Sequence, residues 1–216
     1  MKQVGVKMVV DGVTGVGKSS LVKIISEEFG LKPYSEMFED ENRLLNKFFF
    51  NRKKWAFPMQ TNFLTNRFKQ YLDASRVGWA VMDRSIYSDP IFARMYVEEG
   101  YLSPEEFSVY QNLLYTLLEQ LNPPELLIYL RVSTDEAIRR IHKRGRPDEI
   151  LVEREYWDRL NYHYEMNYSN FKLGRLLVLE VENLDYVHRE ADRRYIVNEI
   201  AKASGLVPLR EKAALP

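Results

Sequence analysis

The chain has 216 residues, 31 Lys+Arg against 31 Asp+Glu, 45% hydrophobic residues and no cysteine. That apolar share supports a packed core and excludes a disordered polar chain, the length suits one domain, and disulfide or thiolate chemistry is excluded. No run of about 18 apolar residues offers a membrane span, and Met1-Lys2-Gln3 leads directly into a β-like stretch, so a cytoplasmic protein with no membrane partner is expected. Zero net charge argues against a surface built to coat nucleic acid.

Val4 to Asp11 is rich in β-branched residues and predicts a buried strand. The loop after it, Gly12-Val13-Thr14-Gly15-Val16-Gly17-Lys18-Ser19, fits G-x-x-x-x-G-K-[ST], and an amphipathic helix over Lys18 to Phe29 follows. In that context the glycines let backbone N–H groups curl around phosphate oxygens, and the helix N-terminus adds positive potential. Lys18 reaches the outer phosphates and Ser19 can hold Mg²⁺. Residues 12–19 and the adjoining Ser20 are therefore candidate contacts to a nucleoside triphosphate. Gly30 ends the helix, Leu31 to Ser35 is extended, and the acidic stretch Glu36-Met37-Phe38-Glu39-Asp40-Glu41 follows.

Aromatic-rich helical sequence runs from Leu44 to Ser75, and Trp79 to Asp83 predicts a buried strand with an acid at its end. Parallel sheets present such strand ends to a ligand crevice. Ser103-Pro104-Glu105-Glu106 is a capping box with Pro at the first helical position, opening a helix towards Leu121 that Pro123-Pro124 stops. Leu126 to Val132 predicts a central strand, and Ser133-Thr134-Asp135-Glu136 a second capping box for a helix into Arg144. Beyond Gly145, Glu153 to about Lys172 predicts helix, Leu176 to Glu182 strand, and Arg189 to Ala203 the last helix. The alternation implies right-handed βαβ units. The expected fold class is α/β, a three-layer P-loop fold whose parallel, five-stranded sheet carries helices on both faces. Residues 1–204 form the expected single domain and 205–216 a C-terminal tail.

A phosphate loop alone does not choose between a switch GTPase, a motor and a small-molecule kinase. The guanine-reading pattern N-K-x-D is missing, because Asn46-Lys47 runs into Phe48-Phe49. The deciding segment is Asp83-Arg84-Ser85-Ile86-Tyr87-Ser88-Asp89. With the phosphate loop it resembles the deoxyribonucleoside kinase family, in its deoxyadenosine, deoxyguanosine and deoxycytidine kinase branch, over nearly the whole chain.

The resemblance implies that Asp83 lies near Mg²⁺ and the acceptor hydroxyl, with Arg84 beside the transferred phosphoryl group. Trp55-Ala56-Phe57-Pro58-Met59-Gln60 looks like the family's aromatic helix, which makes Gln60 a nucleobase ligand. Arg67, seven residues on and on the same helix face, pairs with Asp89 to read the base edge. Glu36 matches the acid beside the 5′-hydroxyl and is the favoured general base, with Asp83 the alternative. This sequence lacks the family's Pro after Glu36 and is one residue longer there, which leaves Glu39 in contention.

Residues 139–146 carry five cations in eight positions and no acid, and resemble the family's Arg-rich lid, expected at about 139–150. Arg140, Arg144 and Arg146 are its implied phosphate ligands, with Gly145 as hinge. Glu149 matches the acid that binds the sugar 3′-hydroxyl, but the family's partner tyrosine is Phe49 here. Sugar recognition is then looser or draws on another tyrosine. His142, His163 and His188 have no metal-ligand spacing. The Asn183-Leu184-Asp185-Tyr186 loop is a candidate donor-base contact.

The resemblance implies an ATP- and Mg²⁺-dependent transferase that phosphorylates the 5′-hydroxyl of a purine deoxynucleoside or deoxycytidine, a salvage reaction, in a homodimer packed through long helices. A thymidylate-type monophosphate kinase is the competing reading, although Tyr usually stands there in place of Ser85. A P-loop switch or ATPase is a third.

Overall fold

The computed structural model describes residues 5–36 and 43–212. Its strands β1 (Met8–Asp11), β2 (Lys32–Tyr34), β3 (Ala80–Asp83), β4 (Leu126–Arg131) and β5 (Arg175–Glu180) form one parallel sheet in the order β2-β3-β1-β4-β5. Every residue of β1 and β3, and all but the last of β4, is buried. Unbroken apolar runs of this kind demand cover on both faces of the sheet. At the edges, β2 is short and β5 is largely exposed or half-buried.

The helices are α1 (Lys18–Phe29), α2 (Leu44–Phe50), α3 (Arg52–Val77), α4 (Asp89–Glu98), α5 (Pro104–Leu118), α6 (Thr134–Arg144), α7 (Pro147–Ile150), α8 (Arg154–Ser169), α9 (Glu190–Ser204) and α10 (Leu209–Lys212). The β1-to-β2 crossover runs one way along the sheet and the later ones run the other way. Right-handed crossovers therefore put α1 on one face and α3, α4, α5 and α8 on the other. Arg193 of α9 pairs with Glu27 and Glu28 of α1, which assigns α9 to the α1 face. The result is a three-layer α/β P-loop kinase fold. Strand order reverses at β1, so a crevice opens beyond its C-terminal end, where the phosphate loop begins.

Several element boundaries differ from the sequence expectations. The helix expected from Leu44 to Ser75 breaks at Asn51, whose φ of −147° leaves the helical region. Its side-chain oxygen accepts the Lys54 N–H at 3.1 Å and so starts α3 as a new helix. Ser103 and Glu106 form the full reciprocal capping box. Ser133 forms only half of one: the Glu136 carboxylate turns to Arg139 and Arg140, and Glu182 takes the Ser133 N–H and hydroxyl instead. Helix α5 stops at Leu118, short of Leu121, α8 ends at Ser169, short of Lys172, and β5 ends at Glu180, short of Glu182. The C-terminal segment contains α10, held on α1 by Arg210 3.2 Å from Glu28.

Candidate active site

Two cavities open at the C-terminal ends of β1 and β3 and share one wall. The first, of about 740 Å³, is lined by Thr14, Gly15, Gly17, Lys18, Ser19 and Ser20 of the phosphate loop, by cations of α6, and by residues 182–189. The second, of about 580 Å³, is aromatic and includes Phe49, Met59, Phe63, Phe92 and Tyr156. Thr14, Glu36, Arg84, Arg146 and Glu149 line both.

Gly17, with φ of +108°, caps α1 in a backbone conformation that L side chains rarely adopt. A Cβ there would lie 2.2 Å from the Tyr186 Oη, which sits against the Val16 and Gly17 carbonyl oxygens at 3.3 and 3.1 Å. Gly12 does not line the cavity but lets the loop pass β4, since a Cβ would lie 2.7 Å from the Leu130 oxygen. Val13 and Val16 are core residues beneath the loop. Lys18 is buried and donates to the Gly12 and Val13 carbonyls at 3.0 and 2.9 Å. Burial, with repulsion from Arg84, lowers its pKa to about 8.

The Ser19 hydroxyl donates to Asp83 Oδ2, while Asp83 Oδ1 is buried without a hydrogen-bond partner. Burial pushes the Asp83 carboxyl above its ordinary range. Arg84 follows in a left-handed conformation with φ of 64°, a strain that a buried functional position can retain. Its guanidinium lies 3.5 Å from Glu36 and 5.0 Å from the centre of the Phe92 ring.

Glu36 stands at the junction of the cavities. Burial alone would raise its pKa, but Arg84, Arg67 and Lys18 hold it down at about 2. Arg67 does more than the sequence implies, because it donates to Asp89 with Nη1 and to Glu36 with Nη2 at 2.8 Å. One guanidinium thus joins the Asp89 end of the aromatic cavity to its Glu36 end. Burial drives the Asp89 carboxyl up to about 7 against the pull of Arg67 and Arg84, and its Oδ2 has no partner. Gln60 is buried and lines the same end. Glu39 lies outside the described residues.

The lid residues are engaged with acids in space despite having none between them in sequence. Arg144 and Arg146 both pair with Glu149. Arg140, a phosphate ligand in what the resemblance implies, lines the first cavity and donates to Glu136, to the Val16 carbonyl at 2.9 Å and to the Val181 carbonyl at 2.6 Å. Those bonds tie the phosphate loop to the segment after β5, leaving Arg139, Lys143, Arg144 and Arg146 as the lid's other cations along the first cavity.

The family model described as deoxynucleoside kinase matches residues 8–204. The chain belongs to this family. A deoxyguanosine kinase of Lactobacillus acidophilus is 35% identical over 214 residues, covering 94% of this chain and 93% of the relative. A deoxyadenosine/deoxycytidine kinase of Bacillus subtilis is 35% identical over 198 residues, covering 89% and 90% respectively. Among solved structures, deoxyadenosine kinase from M. mycoides with bound dCTP superposes with a TM-score of 0.77 at 32% identity, covering 91% of this chain and 99% of that one. As a deoxynucleoside kinase, the protein is an ATP-dependent phosphotransferase.

In this deoxynucleoside kinase the Asn183-Leu184-Asp185-Tyr186 loop lines the first cavity, while Phe92, Tyr96 and Tyr156 line the aromatic cavity without having been singled out for that role from the sequence. A signal existed for two of them. Asp89, Phe92 and Tyr96 follow i, i+3, i+7 spacing on α4, as Gln60, Phe63 and Arg67 do on α3, so each set shares a helix face.

Proposed function

We propose that this kinase transfers the γ-phosphoryl group of ATP to the 5′-hydroxyl of a purine deoxynucleoside or deoxycytidine, yielding the monophosphate for nucleotide salvage. The observation that carries this reading is the shared wall: Glu36 and Arg84 face both the phosphate-loop cavity and the aromatic cavity. A hydroxyl entering from the second cavity meets a phosphoryl group entering from the first beside a carboxylate and a guanidinium. Glu36, ionised at neutral pH, takes the hydroxyl proton as attack begins. Arg84 and Lys18 stabilise charge on the transferring group, and Arg144 and Arg146 close over it. Gln60, Arg67 and Asp89 hold the base edge, while Glu149 takes the sugar hydroxyl.

The orphaned Asp83 Oδ1 and its Ser19 partner fit a Mg²⁺ that keeps phosphate and water oxygens as its other ligands. When bound, that ion neutralises phosphate charge. Residues 1–204 would act as one kinase domain with the lid at about 139–150, in the cytoplasm, independent of nucleic acid. No helix among the described residues is long and apolar enough to cross a membrane. A homodimer is supported by α5, a mostly apolar helix in which Val109 and Tyr115 are exposed.

The test is ATP consumption with each deoxynucleoside and each monophosphate as acceptor. Deoxynucleoside-dependent turnover is expected. Turnover with monophosphates alone, or without any acceptor, would overturn the reading.

A further inference from the structure

The aromatic cavity holds a pair of hydroxyls that the mechanism above does not use. Tyr96 and Tyr156 both line it, both are buried, and their Oη atoms are 2.9 Å apart. Each hydroxyl has one proton to donate. Their mutual bond consumes one, so the pair retains one donor with no acceptor among the described residues.

The rest of the cavity narrows what that donor can meet. Glu36 and Arg84 occupy the phosphoryl end, and Gln60, Arg67 and Asp89 the base end. A deoxyribose spanning the two carries, besides its ring oxygen, one further hydroxyl, the 3′-hydroxyl, and this is the remaining group that can both accept from a tyrosine and donate to a carboxylate. Phe49, which has no hydroxyl to offer, lies edge-on to the Tyr156 ring with centroids 6.4 Å apart. The Tyr156 ring thus packs against the ring that would otherwise be expected to carry the hydroxyl.

We propose that the Tyr96–Tyr156 pair reads the sugar 3′-hydroxyl, with Tyr156 donating to its oxygen and Glu149 accepting its proton; this assignment rests on the nucleoside kinase reading. The Glu149 carboxylate has about four lone-pair sites, so its bonds to Arg144 and Arg146 leave capacity for another donor. Tyr156 is held rigidly enough for the task. It lies in the first turn of α8, its N–H bonds the Glu153 carbonyl at 3.1 Å, and the Arg52 guanidinium sits 5.5 Å from its ring centre. Arg52 is fixed in turn by two bonds to the Glu153 carboxylate.

The experiment compares deoxyadenosine, deoxyguanosine and deoxycytidine with their 2′,3′-dideoxy counterparts, in wild type, Tyr156→Phe, and Tyr156→Phe combined with Phe49→Tyr. In Tyr156→Phe, kcat/KM for the deoxynucleosides is expected to fall by about tenfold, the effect of one good hydrogen bond, while the dideoxynucleosides change by less than about twofold. Adding Phe49→Tyr is expected to recover most of the lost discrimination. An equal fall for both acceptor types would reduce Tyr156 to a structural role, and an unchanged ratio would remove it from sugar recognition. Absence of deoxynucleoside turnover in wild type would instead reject the kinase reading itself, before any variant is compared.

Discussion

In the proposed reading Glu36 is the base; the cations that surround it keep it ionised while lowering its proton affinity, and the same cations make it a stabilising group. Its pKa of about 2 means that it is ionised across the physiological range, so it needs no titration to begin accepting a proton. Glu36→Gln is expected to lower kcat by about 10²–10⁴ with ATP binding little changed, measured by steady-state kinetics and direct nucleotide titration. Near-normal turnover would shift the role to Asp83. The folded-state pKa lies below the ordinary carboxylate value of 4.5, so the ionised form stabilises the fold above that pH. The contribution, roughly 3 kcal/mol at most, is lost as pH falls from 4.5 towards 2. The melting-temperature gap between wild type and Glu36→Gln should accordingly narrow over that window, and a gap constant with pH would contradict this account. Asp89 is a different case, buried with an unsatisfied oxygen at the base end. Asp89→Ala should redistribute kcat/KM among adenine, guanine and cytosine acceptors while leaving ATP affinity near wild type; an unaltered acceptor profile would refute base reading by this residue.

Among the elements, local signals in the sequence were reliable where one segment sufficed and weaker where distant segments compete. The Ser103–Glu106 box is self-contained and closes as expected, whereas Ser133–Glu136 does not, because Glu182 from beyond β5 captures the Ser133 N–H. Arg140 follows the same logic. Its spacing from Arg144 is visible along α6, but the carbonyls that occupy its guanidinium belong to Val16 and Val181, far away in sequence. The break at Asn51 was legible only as a favourable capping residue within a long helical pattern. Tyr186 is the other long-range element, packed against Gly17 after a separation of 169 residues. Gly17→Ala should abolish ATP binding, because its Cβ would collide with the Tyr186 hydroxyl and its φ would be strained. Tyr186→Phe, which removes the hydroxyl and leaves the ring, should weaken binding far less; calorimetric titration with ATP distinguishes the two, and tight binding by Gly17→Ala would contradict the close packing described.

For the whole molecule, zero net charge conceals an arrangement in which each of the lid arginines, Arg139, Arg140, Arg144 and Arg146, is paired with an acid. Glu149 holds Arg144 and Arg146, and it also lines the aromatic cavity, so in the proposed reading a triphosphate that draws those arginines away would free Glu149 for the sugar. The order β2-β3-β1-β4-β5 brings this about by setting the phosphate loop beside the Asp83-Arg84 strand end, a juxtaposition implied by strand alternation but fixed only by tertiary packing. The molecule's outer surface carries a separate consequence. Helix α5 fully buries only Tyr110 and Leu114 in its own chain; Phe107, Leu113, Leu117 and Leu118 are half-buried against the core, and Val109 and Tyr115 are more than half exposed. A helix that leaves such side chains exposed calls for a partner surface. Val109→Glu with Tyr115→Glu would introduce two negative charges where the proposed second copy of the chain would pack, while disturbing little within the protomer. Sedimentation velocity should then give a dimer for wild type and a monomer for the double variant, and a dimer that survives both charges would exclude this face of α5 as its interface.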